Sequence, residues 1–225
     1  MNSGIKDEAR PSLHAPAPRG RRLDRVQRQS EILDAAYELF AENGYGATTI
    51  NDIATGAGVA KGLVLFHFKS KEGVFQAVVR RAIPPLLNRL DFTDSTDRQS
   101  ARELFCSTMR EVYHYLVESP EAKVIIRLLI AEGRRFPELN AFYHSEVVAR
   151  GNAVLSKVIE MGVKQGEFSV RENENVSRVL IAPLISALFW QLLFADIEQI
   201  DVKKLYETHI DLALHGLIRT ESRLD

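Results

Sequence analysis

The sequence predicts an all-α protein with a small N-terminal three-helix unit followed by a larger helical domain. Apolar residues recur at three- and four-residue spacing along most of the chain, and no stretch alternates as a half-buried strand does. Glycines, prolines and capping residues interrupt this periodicity at intervals typical of helix boundaries. With 45% hydrophobic residues in a chain of 225, one or two domains with a buried core are expected.

Charge and cysteine content narrow the class of protein. The formal net charge is −1, so any affinity for nucleic acid must come from local basic clusters. The single cysteine, Cys106, excludes an intrachain disulfide and a multi-cysteine metal site, which suits a reducing cytoplasm. The most apolar stretch, 179–195, is shorter than the roughly 20 residues that span a bilayer. We therefore expect a cytoplasmic protein without membrane association, in which this stretch is a buried helix.

Residues 1–24 are predicted to form a disordered basic arm, because they contain prolines and lack an apolar period. The arginines lie at its end, next to the first helix, and include Arg21, Arg22 and Arg25. Two interpretations remain open. The segment is either a solvated, solubilising tail or an arm that neutralises phosphates or enters a minor groove.

The first helix is predicted over about 24–43. Ile32, Ala36 and Phe40 lie on one face of it at helical spacing, and Gly44 ends it. Acidic residues occupy the opposite face, which should therefore point away from DNA.

Residues 48–75 contain two short helical patterns separated by a glycine turn, then a third helix. Thr49 and Asp52 have the spacing of a capping box, which starts the first pattern. Gly58 lies in the turn, and Ser70 can cap the third helix. Two helices joined by a short turn are the layout of a helix-turn-helix DNA reader, although such pairs are also common in all-α domains.

The residue sequence of this stretch resembles that of the DNA-binding domain of the tetracycline-repressor (TetR) family of bacterial regulators. The resemblance begins at Ile32 and is carried above all by AGVAKGLVLFHFKSKEGVF, residues 57–75. The matching residues are Ala57, Gly58, Val59, Gly62, His67, Phe68, Ser70, Lys71, Glu72 and Phe75. It implies a helix-turn-helix DNA-binding domain over 25–70 and a helical effector-binding and dimerisation domain over 71–225.

In that family the second helix of the motif enters the major groove, which implies a set of DNA-binding residues here. They are Thr48, Thr49, Ala60, Lys61, Gly62, Leu63, Leu65, His67 and Lys71, with Arg21, Arg22 and Arg25 of the arm. Lys61 is the clear polar candidate for a base edge or a phosphate. Thr48, Thr49 and Lys71 are candidates for phosphate contacts.

Three residues of the reading helix depart from the family pattern. Ala60, Leu63 and Leu65 stand where serine, threonine and tyrosine are usual, so the helix loses its capping hydroxyl and two hydrogen-bonding side chains. Either leucine could contact a thymine methyl group instead. Phe66 and Phe68 are interpreted as core residues, and His67 as a packing and hydrogen-bonding residue rather than a base reader. Simple packing is an equal alternative for Leu65.

The remainder of the chain is predicted to be helical. The expected helices cover about 70–90, 96–119, 121–134, 137–165, 174–194 and 202–219. Pro84 and Pro85 interrupt the first, because proline inside a helix costs about 3 kcal/mol. This interruption is either a hinge or a simple helix boundary.

The last two helices supply a candidate dimer interface. Its residues are Leu184, Leu188, Gln191, Leu205, His209, Leu212, Ala213 and Gly216. Such stripes are equally plausible as core, and the resemblance favours the interface, because family members dimerise through these helices. Pairing also fits the reading of DNA, since one motif covers few base pairs and two imply a near-palindromic operator with half-sites about 34 Å apart or a multiple of that.

The middle helices are expected to enclose a pocket for a small hydrophobic or amphipathic effector. The candidate lining residues are Phe105, Met109, Tyr113, Arg127, Phe142, His144 and Trp190. Each of them could instead be an ordinary core or surface residue.

The function predicted from these features is that of a ligand-responsive homodimeric transcriptional regulator. Its simplest form is a repressor that a small molecule releases from a double-stranded DNA operator. No catalytic residue, cofactor or metal site is expected, since metal-ligand spacing, a phosphate loop and a nucleophile motif are all missing from the sequence. The alternative is a helical carrier or enzyme that keeps the N-terminal unit only for structure.

Overall fold

The structure is a computed structural model that describes residues 19–83, 87, 100–170 and 175–218. Within these residues the chain is helical and contains no strand, which confirms the predicted all-α class. The helices are α1 (Arg19–Ala47), α2 (Ile50–Gly56), α3 (Lys61–Phe68), α4 (Lys71–Ala82), α5 (Ala101–Tyr113), α6 (Pro120–Glu132), α7 (Pro137–Tyr143), α8 (Arg150–Gln165), α9 (Val176–Phe194) and α10 (Val202–Leu217). A π-helical turn, His114–Glu118, extends α5, and a second, His144–Ala149, joins α7 to α8.

Helices α1 to α4 form the N-terminal unit around a small aromatic and aliphatic core. Ile32, Ile53 and Val64 are fully buried there, and the rings of Phe40 and Phe75 meet edge to face at 6.1 Å. Burial of such side chains stabilises the unit by about 1.5–3 kcal/mol each. The stripe predicted for α1 is therefore the face that holds the unit together.

Helix α1 begins at Arg19, earlier than predicted, so residues 19–24 are helical rather than part of a disordered arm. Its regular part ends at Gly44, as predicted, where φ is +80°. Only glycine adopts this conformation at little cost, and it turns the chain towards α2.

Helices α5 to α10 form the larger domain. Its core includes Phe105, Met109, Leu155, Leu184 and Leu188, all almost completely buried. Helix α6 also packs against α1, and α7 packs against α4, so the larger domain contacts the N-terminal unit directly. The helix predicted over 137–165 is continuous, with the second π-helical turn inside it.

The connection between the two parts lies partly outside the described residues. Helix α4 ends at Ala82, close to the predicted interruption, with Ile83 in an extended conformation. Pro84 and Pro85 themselves lie outside the described residues.

Helix α9 differs from the buried helix that was predicted for 179–195. Its 19 residues have a mean hydropathy of 1.7 and are long and apolar enough to cross a membrane by length and composition. In the structure one face packs into the core through Leu184 and Leu188, whereas Val179 and Leu193 on the other face are 69% and 65% exposed.

Candidate nucleic-acid interface and internal cavity

Helix α3 presents an exposed and mostly apolar face. Val64 is fully buried and anchors the helix, while Lys61, Gly62, Leu65 and Phe66 are exposed. The N-cap, Ala60, is exposed and makes no side-chain capping bond, as its methyl group requires, and Leu63 is half-buried. A Cβ atom added at Gly62 would meet nothing within 4 Å, so a flat partner can approach the backbone closely here.

The position of Phe66 contradicts its interpretation as a core residue. Its side chain is 61% exposed, and Lys69 Nζ lies 5.7 Å from the ring centroid. Val64 and Phe68, four residues apart, point inward, and this places Phe66 on the opposite side of the helix. A helical-wheel comparison of these three residues would have found Phe66 in the sequence.

His67 lies at the end of α3, half-buried against α1. Gln29 Nε2 is 3.3 Å from His67 Nδ1, and since an amide nitrogen can only donate, the imidazole nitrogen is the acceptor. Burial lowers the pKa of His67, and the nearby cations Arg25 and Lys69 lower it further. His67 is therefore a neutral link between two helices at pH 7, with the exposed Arg25 beside it.

The start of α2 is built as predicted. Thr49 Oγ1 accepts a hydrogen bond from the Asp52 backbone N–H at 3.2 Å, and Asp52 Oδ2 accepts from the Thr49 N–H at 2.8 Å. The Thr49 hydroxyl also donates to Asp52 Oδ2 at 2.7 Å, and this bond, followed by the one from the Thr49 N–H, lowers the pKa of the Asp52 carboxyl group. Thr49 is exposed at this helix start.

Thr48 and Lys71 point inward, contrary to the phosphate contacts predicted for them. Thr48 is 1% exposed, and its hydroxyl donates to the carbonyl of Gly44 at 2.7 Å. Lys71 Nζ donates to the carbonyls of Tyr45 at 2.7 Å and Thr48 at 2.9 Å, and also contacts the Gly46 carbonyl. Both side chains hold the turn after α1 because that turn has carbonyl groups that no helix satisfies.

The other side of this turn is held by the larger domain. The carboxylate of Glu132, at the end of α6, accepts hydrogen bonds from the backbone N–H groups of Tyr45 at 2.5 Å and Gly46 at 2.6 Å. A Cβ at Gly44 or Gly46 would lie 2.6 or 2.7 Å from the same carboxylate, which would have to move, and at Gly44 the φ of +80° also favours glycine. We call Glu132, Lys71 and residues 44–48 the turn clamp. Glu132 could not be predicted from the sequence, since its partners are backbone atoms 86 and 87 residues away.

A cavity of about 390 Å³ lies inside the larger domain, between α5, α6, the α7–α8 segment and α9. Of the predicted pocket residues, Met109 and His144 line it. Its other apolar walls come from Leu87, Val112, Leu116, Ile126, Val147, Leu155 and Ile181. The polar side chains around it belong to Thr108, Tyr115, Tyr143, Asn152 and Arg178, besides His144. The cavity falls within the usual range for small-molecule sites.

Four predicted pocket residues lie elsewhere. Phe105 is fully buried against Phe168, Arg127 donates to the Ala41 carbonyl of α1 at 3.2 Å, and Trp190 Nε1 donates to the Glu198 carbonyl at 3.3 Å. Phe142 lies beneath Arg80, whose guanidinium carbon is 4.8 Å from the ring centroid. The middle helices turn these side chains to the core or to neighbouring elements, and helix spacing alone did not reveal that.

Tyr113, the remaining predicted pocket residue, faces a separate cleft and forms a buried pair with His209. Tyr113 Oη lies 3.1 Å from His209 Nδ1. Burial raises the pKa of Tyr113 to about 12, so the phenol donates at neutral pH. Burial lowers the pKa of His209, and a hydrogen bond with the Leu180 backbone opposes this to a smaller extent. The pair joins α5, α9 and α10 inside one chain.

The predicted dimer residues divide between the core and the surface. Leu184, Leu188, His209 and Ala213 are buried within the chain, and Gln191 and Leu205 are half-buried. Only Leu212, at 66% exposure, and Gly216 are exposed. The exposed face of α9 lies opposite the predicted stripe and includes Val179, Ala182, Ser186, Phe189 and Leu193.

The fold and these features define a class of protein. An exposed short helix follows a capped helix and a glycine turn in a three-helix unit, as in helix-turn-helix DNA-binding proteins. The basic residues Arg21 and Arg22 lie in the first turn of α1, and Arg25 lies near the exposed helix. The unit is attached to a helical domain that contains a cavity.

Comparison with known proteins identifies the family. Residues 32–78 match the bacterial regulatory proteins of the tetR family, and residues 108–215 match the C-terminal domain of AefR-like transcriptional repressors. The chain is 31% identical to the transcriptional repressor KstR2 of Rhodococcus jostii over 159 residues, 68% of this chain and 74% of KstR2. It is 29% identical to the regulator SrpR of Pseudomonas putida over 180 residues, 79% of this chain and 80% of SrpR.

A solved structure shares the fold. The SmeT–triclosan complex superimposes with a TM-score of 0.69 at 22% identity, covering 86% of this chain and 92% of that one. The chain therefore belongs to the TetR family of bacterial transcriptional regulators.

Proposed function

We propose that this chain is a homodimeric repressor that reads a near-palindromic operator with α3 and leaves it when a small molecule occupies the internal cavity. The observation that carries the proposal is the outward face of α3, where Lys61, Gly62, Leu65 and Phe66 are exposed while Val64 fixes the helix to its unit. Lys61 supplies the ammonium group for a guanine acceptor or a phosphate. Leu65 and Phe66 supply apolar surface for thymine methyl groups.

The second copy of the chain would cover the exposed face of α9. The spacing 179, 182, 186, 189 and 193 alternates three and four residues, which is the spacing of a helix–helix seam. On α10, Leu212 adds an exposed apolar side chain, and Gly216 lets a helix of the second copy approach the backbone closely. This arrangement gives a four-helix interface and places two α3 helices on one DNA site.

The dimer is tested by its mass in solution. Leu212→Arg should shift the protein towards the monomer in sedimentation velocity experiments, because it would bury an unpaired charge in the interface. Ile130→Arg, at a residue that is 54% exposed on α6, is the matched control. Equal mass for both variants and for the wild type would argue against this interface.

The proposed release follows from the position of α6. Ile126 of this helix lines the cavity, and Glu132, at its end, holds the turn after α1. A ligand that fits best when α6 is displaced would favour a different orientation of the two DNA-reading units, with a spacing that no longer matches the half-sites. The SmeT–triclosan complex, which shares the fold, supports a small, largely apolar ligand.

A mobility-shift assay with DNA from upstream of the protein's own gene tests whether the chain binds DNA as a regulator. We expect binding that weakens as salt rises, and Lys61→Ala should reduce the affinity about tenfold, in line with the loss of one specific contact. Lys164→Ala, on the exposed surface of α8, is the control. Binding that is insensitive to salt, or an unchanged affinity for Lys61→Ala, would contradict the assignment. A carrier with a purely structural N-terminal unit would instead bind ligand without any change in DNA affinity.

A further inference from the structure

The cavity contains two hydroxyl groups that form no hydrogen bond with the described residues. Thr108 is 3% exposed and Tyr115 is 7% exposed, and neither Thr108 Oγ1 nor Tyr115 Oη has a hydrogen-bond partner among the described residues. Both residues line the cavity. Most buried polar side-chain atoms in proteins are hydrogen-bonded, and leaving one unpaired costs about 1–3 kcal/mol.

The neighbouring Tyr143 does not remove this deficit. The two phenols interact closely enough that Tyr143 lowers the pKa of Tyr115 in part and Tyr115 raises that of Tyr143. Their geometry falls short of a full hydrogen bond, so Tyr115 Oη keeps bonding capacity. Burial raises the pKa of both phenols above the ordinary value. The Tyr115 hydroxyl is therefore protonated at neutral pH and can donate, and the Thr108 hydroxyl can donate or accept.

The charges around the cavity restrict its ligand further. None of its described lining residues is an aspartate or glutamate, and Arg178 is the one lysine or arginine among them. Arg178 is exposed and donates to Asn175 Oδ1 at 3.1 Å. An ammonium group would find no counter-charge inside, and a buried carboxylate would lose more hydration than two hydroxyl groups replace.

We propose that the cavity takes a neutral, largely apolar molecule with one hydroxyl or carbonyl group, which hydrogen-bonds to the hydroxyls of Thr108 and Tyr115. This proposal rests on the cavity being the effector site. The apolar walls would hold the body of the molecule, and the two hydroxyls would select compounds with a single neutral polar group. A site built in this way rejects the matching hydrocarbon, because its own polar groups would stay unpaired.

Four probes with the same para-butylphenyl body test the proposal: 4-butylphenol, butylbenzene, 4-butylbenzoate and 4-butylbenzylamine. Their dissociation constants for the full-length protein are measured by titration calorimetry. We expect 4-butylphenol to bind about tenfold more tightly than butylbenzene, and both charged probes to bind more weakly than the phenol. Equal affinity for phenol and hydrocarbon, tighter binding of either charged probe, or no binding of any probe would overturn the proposal.

A double variant identifies the groups responsible. Thr108→Val with Tyr115→Phe should keep the affinity for butylbenzene and lose the preference for 4-butylphenol. Ser107→Ala is the matched control, because the Ser107 hydroxyl donates to the Leu104 carbonyl at 3.0 Å and lies outside the cavity. A preference that persists in the double variant would assign selectivity to other groups and overturn the proposal.

These outcomes are separate from those of the operator assay. Lack of DNA binding would contradict the regulator and leave the ligand preferences intact. Normal DNA binding with equal affinity for phenol and hydrocarbon would contradict only the ligand class.

Discussion

The turn clamp and the internal cavity are two polar regions that the protein completes to different degrees. In the clamp, the Tyr45 and Gly46 N–H groups meet the Glu132 carboxylate, and the neighbouring carbonyls meet the Lys71 ammonium. In the cavity, the hydroxyls of Thr108 and Tyr115 meet no partner among the described residues. The first arrangement fixes one geometry, whereas the second leaves bonding capacity for another molecule.

Helix α6 contacts both the turn clamp and the cavity, so it is the element that connects the two regions. Ile126 lies against the cavity, and Glu132 lies in the clamp. The proposed release requires a displacement of α6 at Ile126, in the middle of the helix, to reach the clamp at its C-terminal end. The following substitutions separate the two regions, from the largest expected effect to the smallest.

Loss of the Glu132 carboxylate should have the largest effect. We expect Glu132→Ala to lower the free energy of unfolding by about 3 kcal/mol, because two backbone donors lose charge-assisted hydrogen bonds. Urea unfolding measures this difference. Glu38→Ala, at an exposed site on α1, is the control. If both variants unfolded at the same urea concentration, Glu132 would not stabilise the turn.

Substitution of Lys71 should separate stability from DNA affinity. Lys71→Met keeps most of the aliphatic chain but removes the donor to three carbonyl groups, so we expect a loss of about 2 kcal/mol in the free energy of unfolding. Lys61→Ala should leave the unfolding midpoint unchanged, because its side chain is exposed. The comparison requires thermal unfolding and mobility shifts on both variants. If Lys71→Met weakened DNA binding without lowering the free energy of unfolding, Lys71 would be a phosphate-binding residue after all.

Removal of the Tyr115 hydroxyl from the cavity should not lower stability, unlike the two substitutions in the turn clamp. In the absence of ligand, we expect Tyr115→Phe to raise the free energy of unfolding by up to about 1 kcal/mol. The reason is that the substitution removes an unpaired buried hydroxyl and keeps the ring. Urea unfolding of the ligand-free protein measures the change. A marked loss of stability would show that the Tyr115 hydroxyl has a partner in solution.

The smallest expected effect is on the pH dependence of the free energy of unfolding. The pKa of His209 is lowered in the fold, so the unfolded chain binds a proton more readily than the folded chain. The free energy of unfolding should therefore fall as the pH drops below the ordinary histidine value of about 6.5. His209→Gln should reduce this dependence between pH 7 and pH 5, measured by the melting temperature, and His215→Gln, at an exposed site, should not. The same pH dependence in all three proteins would rule out a role for His209.

The parts of the fold that depend on local rules could be predicted from the sequence. Periodicity placed the helices, and Thr49, Asp52 and Ser70 located two helix starts, because capping bonds join residues three apart. Contacts between distant residues could not be predicted in this way. Nothing in the spacing indicates that Lys71 turns to the Tyr45 carbonyl or that Leu184 and Leu188 face the core rather than a partner.

The same limit applies to the candidate site. The helix-turn-helix motif was recognisable from the sequence, whereas the orientation of Phe66 depended on which residue of α3 packs into the core. Of the predicted pocket residues, Met109 and His144 line the cavity, whereas Phe105, Tyr113, Arg127, Phe142 and Trp190 do not. Helices of similar composition can be rotated by one position, and a rotation of that size exchanges lining residues for core residues.

The proposed contact between α3 and DNA has a consequence for the temperature dependence of binding. Leu65 and Phe66 are 36% and 61% exposed in the chain alone, and a groove that covers them removes that surface from water. Burial of apolar surface gives association a negative heat capacity change. Operator recognition by this protein should therefore become more exothermic as the temperature rises, so the enthalpy of binding, measured at several temperatures, reports how deeply the phenylalanine enters the groove.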